Sequence, residues 1–139
     1  MTLRVLVVDD DALVRALFGQ ILRPPAFQVV GEAADGAQAV ALYRQLRPDI
    51  VLLDLAMPGV DGFTAQRLIM AADPSAAIVV CSAMTSDRAG MDVLARGARA
   101  FVRRPFHVAD LRATLTRAAA RPLPAEPVHT LAVPEAVYA

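Results

Sequence analysis

Five short apolar runs alternate with five segments of helical period over the first 120 residues of the chain. Each run is four to six residues long and rich in valine, leucine and isoleucine, which is typical of strands buried on both faces. Strands that alternate with helices favour a parallel sheet with right-handed crossovers. The sequence therefore predicts an α/β fold, a single doubly wound five-stranded parallel sheet with helices on both faces.

The predicted strands end at turn residues or at polar side chains. They are Leu3–Val8, Phe27–Val30, Ile50–Leu53, Ile78–Cys81 and Ala100–Arg103. The helix after the third strand is expected to bury Ala65, Leu68, Ile69 and Ala72. From Arg121 onward, four prolines and the loss of helical period indicate a tail or the stub of a linker. We therefore expect one domain at residues 1–120 and a proline-rich tail at 121–139.

Composition narrows the function classes. With one cysteine, Cys81, no internal disulfide can form, and free cysteines are usually buried as small apolar residues. No apolar run approaches membrane length and the N-terminus enters a strand directly, so we expect a cytoplasmic protein without a membrane segment. The net charge is zero, but residues 93–121 hold seven arginines against Asp110 alone. That excess indicates either an acidic partner or arginines on solvated helix faces.

Polar side chains stand where four of the predicted strands end. Asp9 and Asp10 follow the first strand, Asp54 the third, Ser82 the fourth and Arg104 the fifth. Ligands of open parallel sheets bind at the carboxyl ends of the strands, so we expect these five side chains to converge. Three crowded carboxylates repel one another unless a cation joins them, and oxygen ligands favour Mg²⁺. A carboxylate beside such an ion can act as a nucleophile toward phosphorus.

As a set, the motifs resemble the receiver domain of two-component response regulators, and most nearly the single-domain CheY-type proteins of chemotaxis. They are Val7-Val8-Asp9-Asp10, Asp54 with Met57-Pro58 and Gly62, Cys81-Ser82-Ala83, and Gly97-Ala98 through Phe101 to Pro105-Phe106. The match covers about residues 3–120 in order and spacing. The resemblance implies the flavodoxin-like strand order 2-1-3-4-5 and a cis peptide bond between Arg104 and Pro105.

The resemblance also implies a role for each residue of the site. Asp54 is the expected phosphoacceptor. Asp10, Asp54 and the backbone carbonyl of Ala56 are the expected ligands of Mg²⁺, or of Mn²⁺ in its place, and Asp9 is expected to hold a water of the ion. Ser82 is expected to bind the phosphoryl group, and Phe101 to be the aromatic switch residue. Small or apolar residues at Ala56 and Met84 favour a moderately long-lived phosphorylated state.

A sensor histidine kinase is the implied phosphodonor. The output partner, a downstream protein or a second copy of the chain, is expected on the face made by helix four, strand five and helix five. The residues predicted near that face are Gly90, Met91, Leu94, Phe101 and Leu111. We expect no nucleic-acid contact from this chain itself, and a phosphoacceptor that assists its own phosphotransfer rather than a conventional enzyme.

Arg104 departs from the family, which carries a lysine at this position. Guanidinium is planar and larger than an ammonium group, so the exchange is not conservative. Either Arg104 still pairs with Asp54 or its phosphate, or the domain has become a phosphorylation-independent interaction module. The complete absence of lysine from the chain indicates a drift toward arginine, which favours the first alternative.

One further alternative stays open, and a second fails on the residues that it requires. The chain is also compatible with the N-terminal receiver fragment of a longer DNA-binding or enzymatic regulator. Asp9-x-Asp11 after an apolar strand also matches the nucleophile motif of haloacid-dehalogenase-type phosphatases. Those enzymes need a later lysine and a further acidic pair, and the chain has neither in the required place.

Overall fold

A computed structural model describes residues 1–55, 57, 61–83 and 87–120, together with the backbone of two short segments at 129–130 and 137–138. The strands are β1 Leu3–Val8, β2 Phe27–Ala33, β3 Ile50–Leu53, β4 Ile78–Ser82, β5 Ala100–Arg103, β6 Phe106–His107, β7 His129–Thr130 and β8 Val137–Tyr138. The helices are α1 Ala12–Ile21, α2 Gly36–Leu46, α3 Gly62–Ala72, α4 Asp87–Ala95 and α5 Val108–Ala120.

The first five strands form a parallel sheet in the order β2-β1-β3-β4-β5, as predicted. The central strands β1 and β3 are almost wholly buried because helices cover both faces. Since all five strands run in the same direction, their carboxyl ends share one edge. That edge carries the polar residues singled out in the sequence.

Aspartates begin three of the helices. The Asp11 carboxylate accepts a hydrogen bond from the backbone N–H of Leu13, Asp35 from that of Gln38, and Asp61 from that of Thr64. Each bond satisfies a backbone donor that the first helical turn leaves free, which stabilises the helix start. Two of these caps, Asp11 and Asp61, lie in the loops that shape the acidic edge of the sheet.

Two apolar layers pack on opposite faces of the sheet. One contains Leu6, Val8, Leu53, Ile69, Val80, Val93 and Phe101, together with Tyr43 of α2. The other contains Val5, Val7, Phe18, Leu52, Val79, Phe106, Leu111 and Leu115. Alternate residues of β1 therefore enter opposite layers, as the two-residue period of a strand requires. Cys81 lies in the second layer as a buried free thiol, as predicted.

The structure differs from the sequence prediction in strand β2 and in helix α3. Strand β2 continues three residues beyond Val30, with a register shift opposite Val5 and Leu6. On α3 the buried face includes Gln66, whereas Leu68 is only half-buried and Ala72 is exposed. The Gln66 side-chain amide donates to the Val93 carbonyl at 2.9 Å, a partner on α4 that no local pattern reveals.

The prolines and the loss of helical period beyond α5 predict a tail or the stub of a linker. In the described backbone of this segment, β7 adds in parallel to β5, and β8 pairs antiparallel with β6. Each of these pairs is two residues long, too short for a hydrophobic period to predict. Within the part of the chain that the structure describes, no helix is long and apolar enough to cross a membrane.

Candidate functional site at the carboxyl edge of the sheet

Three carboxylates meet where β1 and β3 end. One oxygen from each of Asp9, Asp10 and Asp54 lies within 4.8 Å of the others. Asp9 and Asp54 are buried, with exposed fractions of 1% and 7%, whereas Asp10 is open to solvent. Two carboxylates of the cluster are therefore enclosed by the protein, and an ion or a substrate can approach from the side of Asp10.

The backbone fixes the cluster by sheet hydrogen bonds at its rim. The Asp9 amide donates to the Ala33 carbonyl at 3.0 Å, and the Asp54 amide donates to the Val8 carbonyl at 2.9 Å. The Asp9 side chain also accepts a hydrogen bond of 2.9 Å from the Asp11 amide. These bonds hold Asp9 and Asp54 side by side, so the two buried carboxylates are positioned by the sheet rather than by each other.

Arg104 enters the site from the loop after β5. Its Nη2 donates to the Asp9 carboxylate, forming a buried ion pair, and approaches the Cys81 carbonyl at 3.3 Å. The side chain is 9% exposed. Burial would lower the pKa of the guanidinium, but Cys81 and Asp9 offset this and its net pKa is raised, so Arg104 stays charged. The sequence predicted Asp54 or its phosphate as the partner, whereas the ion pair shown is with Asp9.

Two residues near the site were not predicted from the sequence. Phe18 of α1 places its ring beneath Arg104, with the guanidinium carbon 5.9 Å from the ring centroid. Arg15 donates to the Asp9 backbone carbonyl at 2.6 Å and to the Glu32 carboxylate at 3.0 Å. Both residues lie on α1, and the helical period of that segment does not indicate that its side chains contact the sheet edge.

Ser82 and Cys81 close the site on the β4 side. Ser82 is fully buried, and its carbonyl accepts a hydrogen bond of 3.0 Å from the Arg104 amide. Burial raises the pKa of the Cys81 thiol to about 11, so this thiol stays protonated and does not act as a nucleophile at neutral pH. Ser82 is the polar side chain at the carboxyl end of β4.

Gly62 brings the start of α3 against the Asp54 backbone. A methyl group at this position would overlap the Asp54 carbonyl oxygen and lie 2.5 Å from Leu55 Cα. The Gly62 amide donates to the Leu55 carbonyl at 3.1 Å, which closes the loop that follows β3. A side chain here would have to move the backbone of Asp54 itself.

Phe101, the predicted switch residue, is buried and packs directly on α4. A Cβ at Gly90 would lie 2.8 Å from Phe101 Cδ2, so the absence of a side chain at Gly90 makes room for the ring. Ser82 and Phe101 occupy neighbouring strands, since Val80 pairs with Phe101 and Ser82 with Arg103. The ring in this structure is turned into the protein rather than toward solvent.

The residues predicted near the output face need correction. Leu111 is fully buried in the second apolar layer and cannot contact a partner, and Gly90 and Phe101 are buried as well. Met91 is 68% exposed and Leu94 is half-buried. The resemblance implied these residues as one face, and it does not distinguish a residue that faces the sheet from one that faces outward.

One predicted backbone feature can be compared directly with the structure, and two predicted residues cannot. The Arg104–Pro105 peptide bond is cis, as the resemblance implied. Ala56 and Met84, predicted to supply a ligand carbonyl and to affect the lifetime of the phosphorylated state, lie outside the described residues.

Comparison with known proteins identifies the family of this chain. The profile of the response regulator receiver domain matches residues 5–116. The chemotaxis protein CheY of Listeria monocytogenes is 40% identical over 117 residues, which cover 84% of this chain and 98% of that protein. The chain belongs to the response regulator receiver domain family. The receiver domains of this family act in phosphorylation-based two-component signalling.

Solved structures place the chain among the same receiver domains. In the crystal structure of the CheX–CheY–BeF3–Mg²⁺ complex from Borrelia burgdorferi, CheY is a 32% identical match. The match covers 83% of this chain and 87% of that one, with a TM-score of 0.79. A protein-glutamate methylesterase of Anaeromyxobacter dehalogenans is 42% identical, but over only 32% of its length. The likeness to that enzyme is thus confined to a part of it.

Proposed function

We propose that this receiver domain accepts a phosphoryl group on Asp54 from a sensor histidine kinase. The observation that carries the proposal is the meeting of Asp9, Asp10 and Asp54 within 4.8 Å, with the buried cation Arg104 and the buried hydroxyl of Ser82 beside them. A site that only stabilised the fold would gain nothing from placing three carboxylates at one sheet edge.

In the proposed step, an Asp54 carboxylate oxygen attacks the phosphorus of a phosphohistidine on the kinase. The new O–P bond forms as the N–P bond breaks, and the electron pair of that bond stays on the histidine nitrogen. The product is an acyl phosphate, which carries roughly two negative charges where the carboxylate carried one, and presents three acceptor oxygens by analogy with other phosphorylated side chains. Ser82 can donate its hydroxyl to one of these oxygens, and Arg104 can offer its second guanidinium nitrogen.

The donor set fits a hard divalent ion. Mg²⁺ takes carboxylate oxygens together with waters, and Mn²⁺ accepts the same ligands. Asp10 and Asp54 would bind the ion, with Asp9 holding a water, and the exposed side at Asp10 leaves a path for entry. When bound, the ion supplies positive charge that offsets the carboxylates and the incoming phosphoryl group.

Output is proposed to pass through Ser82 and Phe101 to the outer surface of α4, β5 and α5. On that surface Met91 is exposed and Leu94 is half-buried, and the arginine excess of residues 93–121 favours an acidic partner surface. The partner is a downstream protein or a second copy of the chain.

Intact mass spectrometry tests the phosphoacceptor. The purified chain is incubated with a small acyl phosphate and Mg²⁺, and one added phosphoryl group is expected. The adduct should disappear with Asp54→Asn and with excess chelator. Asp110→Asn, which removes an exposed carboxylate on α5, is the matched control and should retain it.

A phosphorylation-independent interaction module is the second candidate. The ion pair between Arg104 and Asp9 favours it, because that pair already neutralises one carboxylate of the cluster. An unmodified wild-type chain at donor and Mg²⁺ concentrations that label an active receiver would establish this second candidate and reject the first.

A further inference from the structure

Arg104 binds the acidic cluster from inside the protein. Its Nη2 donates to Asp9 Oδ2, and the two side chains are 9% and 2% exposed. The guanidinium also lies over the Phe18 ring, and Phe18 in turn stacks on Phe106 with ring centroids 6.0 Å apart. The cation is thus held between an aromatic wall and a carboxylate that belongs to the candidate metal site.

Both oxygens of Asp9 are already engaged. Oδ1 accepts from the Asp11 amide at 2.9 Å, and Oδ2 accepts from Arg104. A carboxylate has about four lone-pair positions, so a further contact has to share an oxygen with one of these donors. An ion or its water reaching Asp9 would therefore stand beside a charged guanidinium, and like charges at short range repel.

The position of Arg104 does not satisfy all of its hydrogen-bond donors. Its Nε is buried and has no hydrogen-bond partner among the described residues, and the contact from Nη2 to the Cys81 carbonyl is long, at 3.3 Å. Buried donors without partners cost free energy, so this placement of Arg104 leaves one of its hydrogen bonds unmet. The Asp9 ion pair, the Phe18 ring and the Cys81 carbonyl are the contacts that hold Arg104 where it is seen.

We infer that Arg104 and the divalent ion compete for Asp9, so that Arg104 lowers the metal affinity of the site and leaves Asp9 when the ion binds. The choice of a divalent ion such as Mg²⁺ rests on the proposed function. The inference gives Arg104 a part in metal binding that precedes any contact with a phosphoryl group.

Mg²⁺ titration of the full chain without phosphodonor tests the competition. Isothermal calorimetry at constant ionic strength compares the wild type with Arg104→Met, which keeps most of the side-chain volume and removes the charge. The Kd for Mg²⁺ should fall by about threefold or more, as expected for removing one nearby positive charge. Arg104→Lys keeps the charge and should stay near the wild-type value. Arg44→Met removes an exposed arginine at the far end of α2 and should change nothing.

A second readout follows Arg104 in the wild-type chain itself. The Nε–Hε signal of Arg104 in a ¹H–¹⁵N spectrum, assigned by its loss in Arg104→Lys, should shift with the same Kd as the Asp10 and Asp11 amides. An unmoved signal, or an Arg104→Met protein that binds Mg²⁺ no better than the wild type, would overturn the inference. Failure of both proteins to bind Mg²⁺ would overturn it too. A missing phosphoryl adduct would reject the proposed function but would leave this titration unchanged.

Discussion

Gly62 shows how strongly one residue constrains the site, because its Cα lies against the backbone of the proposed acceptor. Gly62→Ala should destabilise the fold by about 1–3 kcal/mol, since a methyl group there has to displace the Asp54 and Leu55 backbone rather than a flexible side chain. The free energy of unfolding in urea measures the effect.

Gly19 provides the matched control on an exposed helical surface. A Cβ at Gly19 meets nothing within 4 Å, so Gly19→Ala should leave stability unchanged or raise it by up to about 1 kcal/mol through helix propensity. Equal effects of the two substitutions would show that the close approach at Gly62 does not matter.

At the level of elements, α2 and α3 are joined by a polar contact in an apolar layer. The Tyr43 hydroxyl donates to Asp73 Oδ2 at 2.6 Å. This bond and the bonds from Ser75 hold the pKa of Asp73 below its usual 3.8. Burial, together with the Asp73 contact, raises the pKa of Tyr43 above its usual 10.0. The contact therefore stabilises the fold only while Asp73 is charged and Tyr43 is protonated.

Tyr43→Phe should cost about 0.5–1.5 kcal/mol of unfolding free energy at neutral pH. Because the folded-state pKa of Asp73 is lowered, the contribution is present above pH 3.8 and is lost as pH falls through that lowered value. Because the folded-state pKa of Tyr43 is raised, the contribution is complete below pH 10.0 and is lost as pH rises beyond it. Urea unfolding across this range measures the difference between the two proteins, and a constant difference down to about pH 2 would contradict the assignment.

At the level of the whole molecule, the domain boundary at residue 120 remains a prediction. Every described member of the two apolar layers lies between residues 3 and 119, whereas β5 pairs with β7 over only two residues. A chain ending at Ala120 should therefore keep its Tm within about 4 °C of the full chain, equivalent to less than about 1 kcal/mol.

Truncation after Ala113 is the control for the same measurement. It removes Leu115 and Ala118 from the second layer and should abolish cooperative unfolding. If ending the chain at Ala120 lowers the Tm as severely, the short strands of the tail belong to the folded domain, and the boundary is wrong.

The local sequence pattern by itself determined the main elements of the fold and the position of the acidic cluster. Apolar runs predicted the first five strands, the motifs implied their order, and the polar residues that follow them predicted the cluster of Asp9, Asp10 and Asp54. These features follow from the two-residue period of strands and from the shared edge of parallel strands, both of which can be read along the chain.

Only the tertiary structure decided which side chains contact one another across elements. It paired Arg104 with Asp9, placed Phe18 beneath that guanidinium, buried Leu111, and turned Gln66 toward the Val93 carbonyl. These contacts join residues up to 95 positions apart, and they depend on the rotation of each helix on the sheet. Periodicity identifies the apolar side of a helix, but it does not specify what that side or the polar residues beside it will meet.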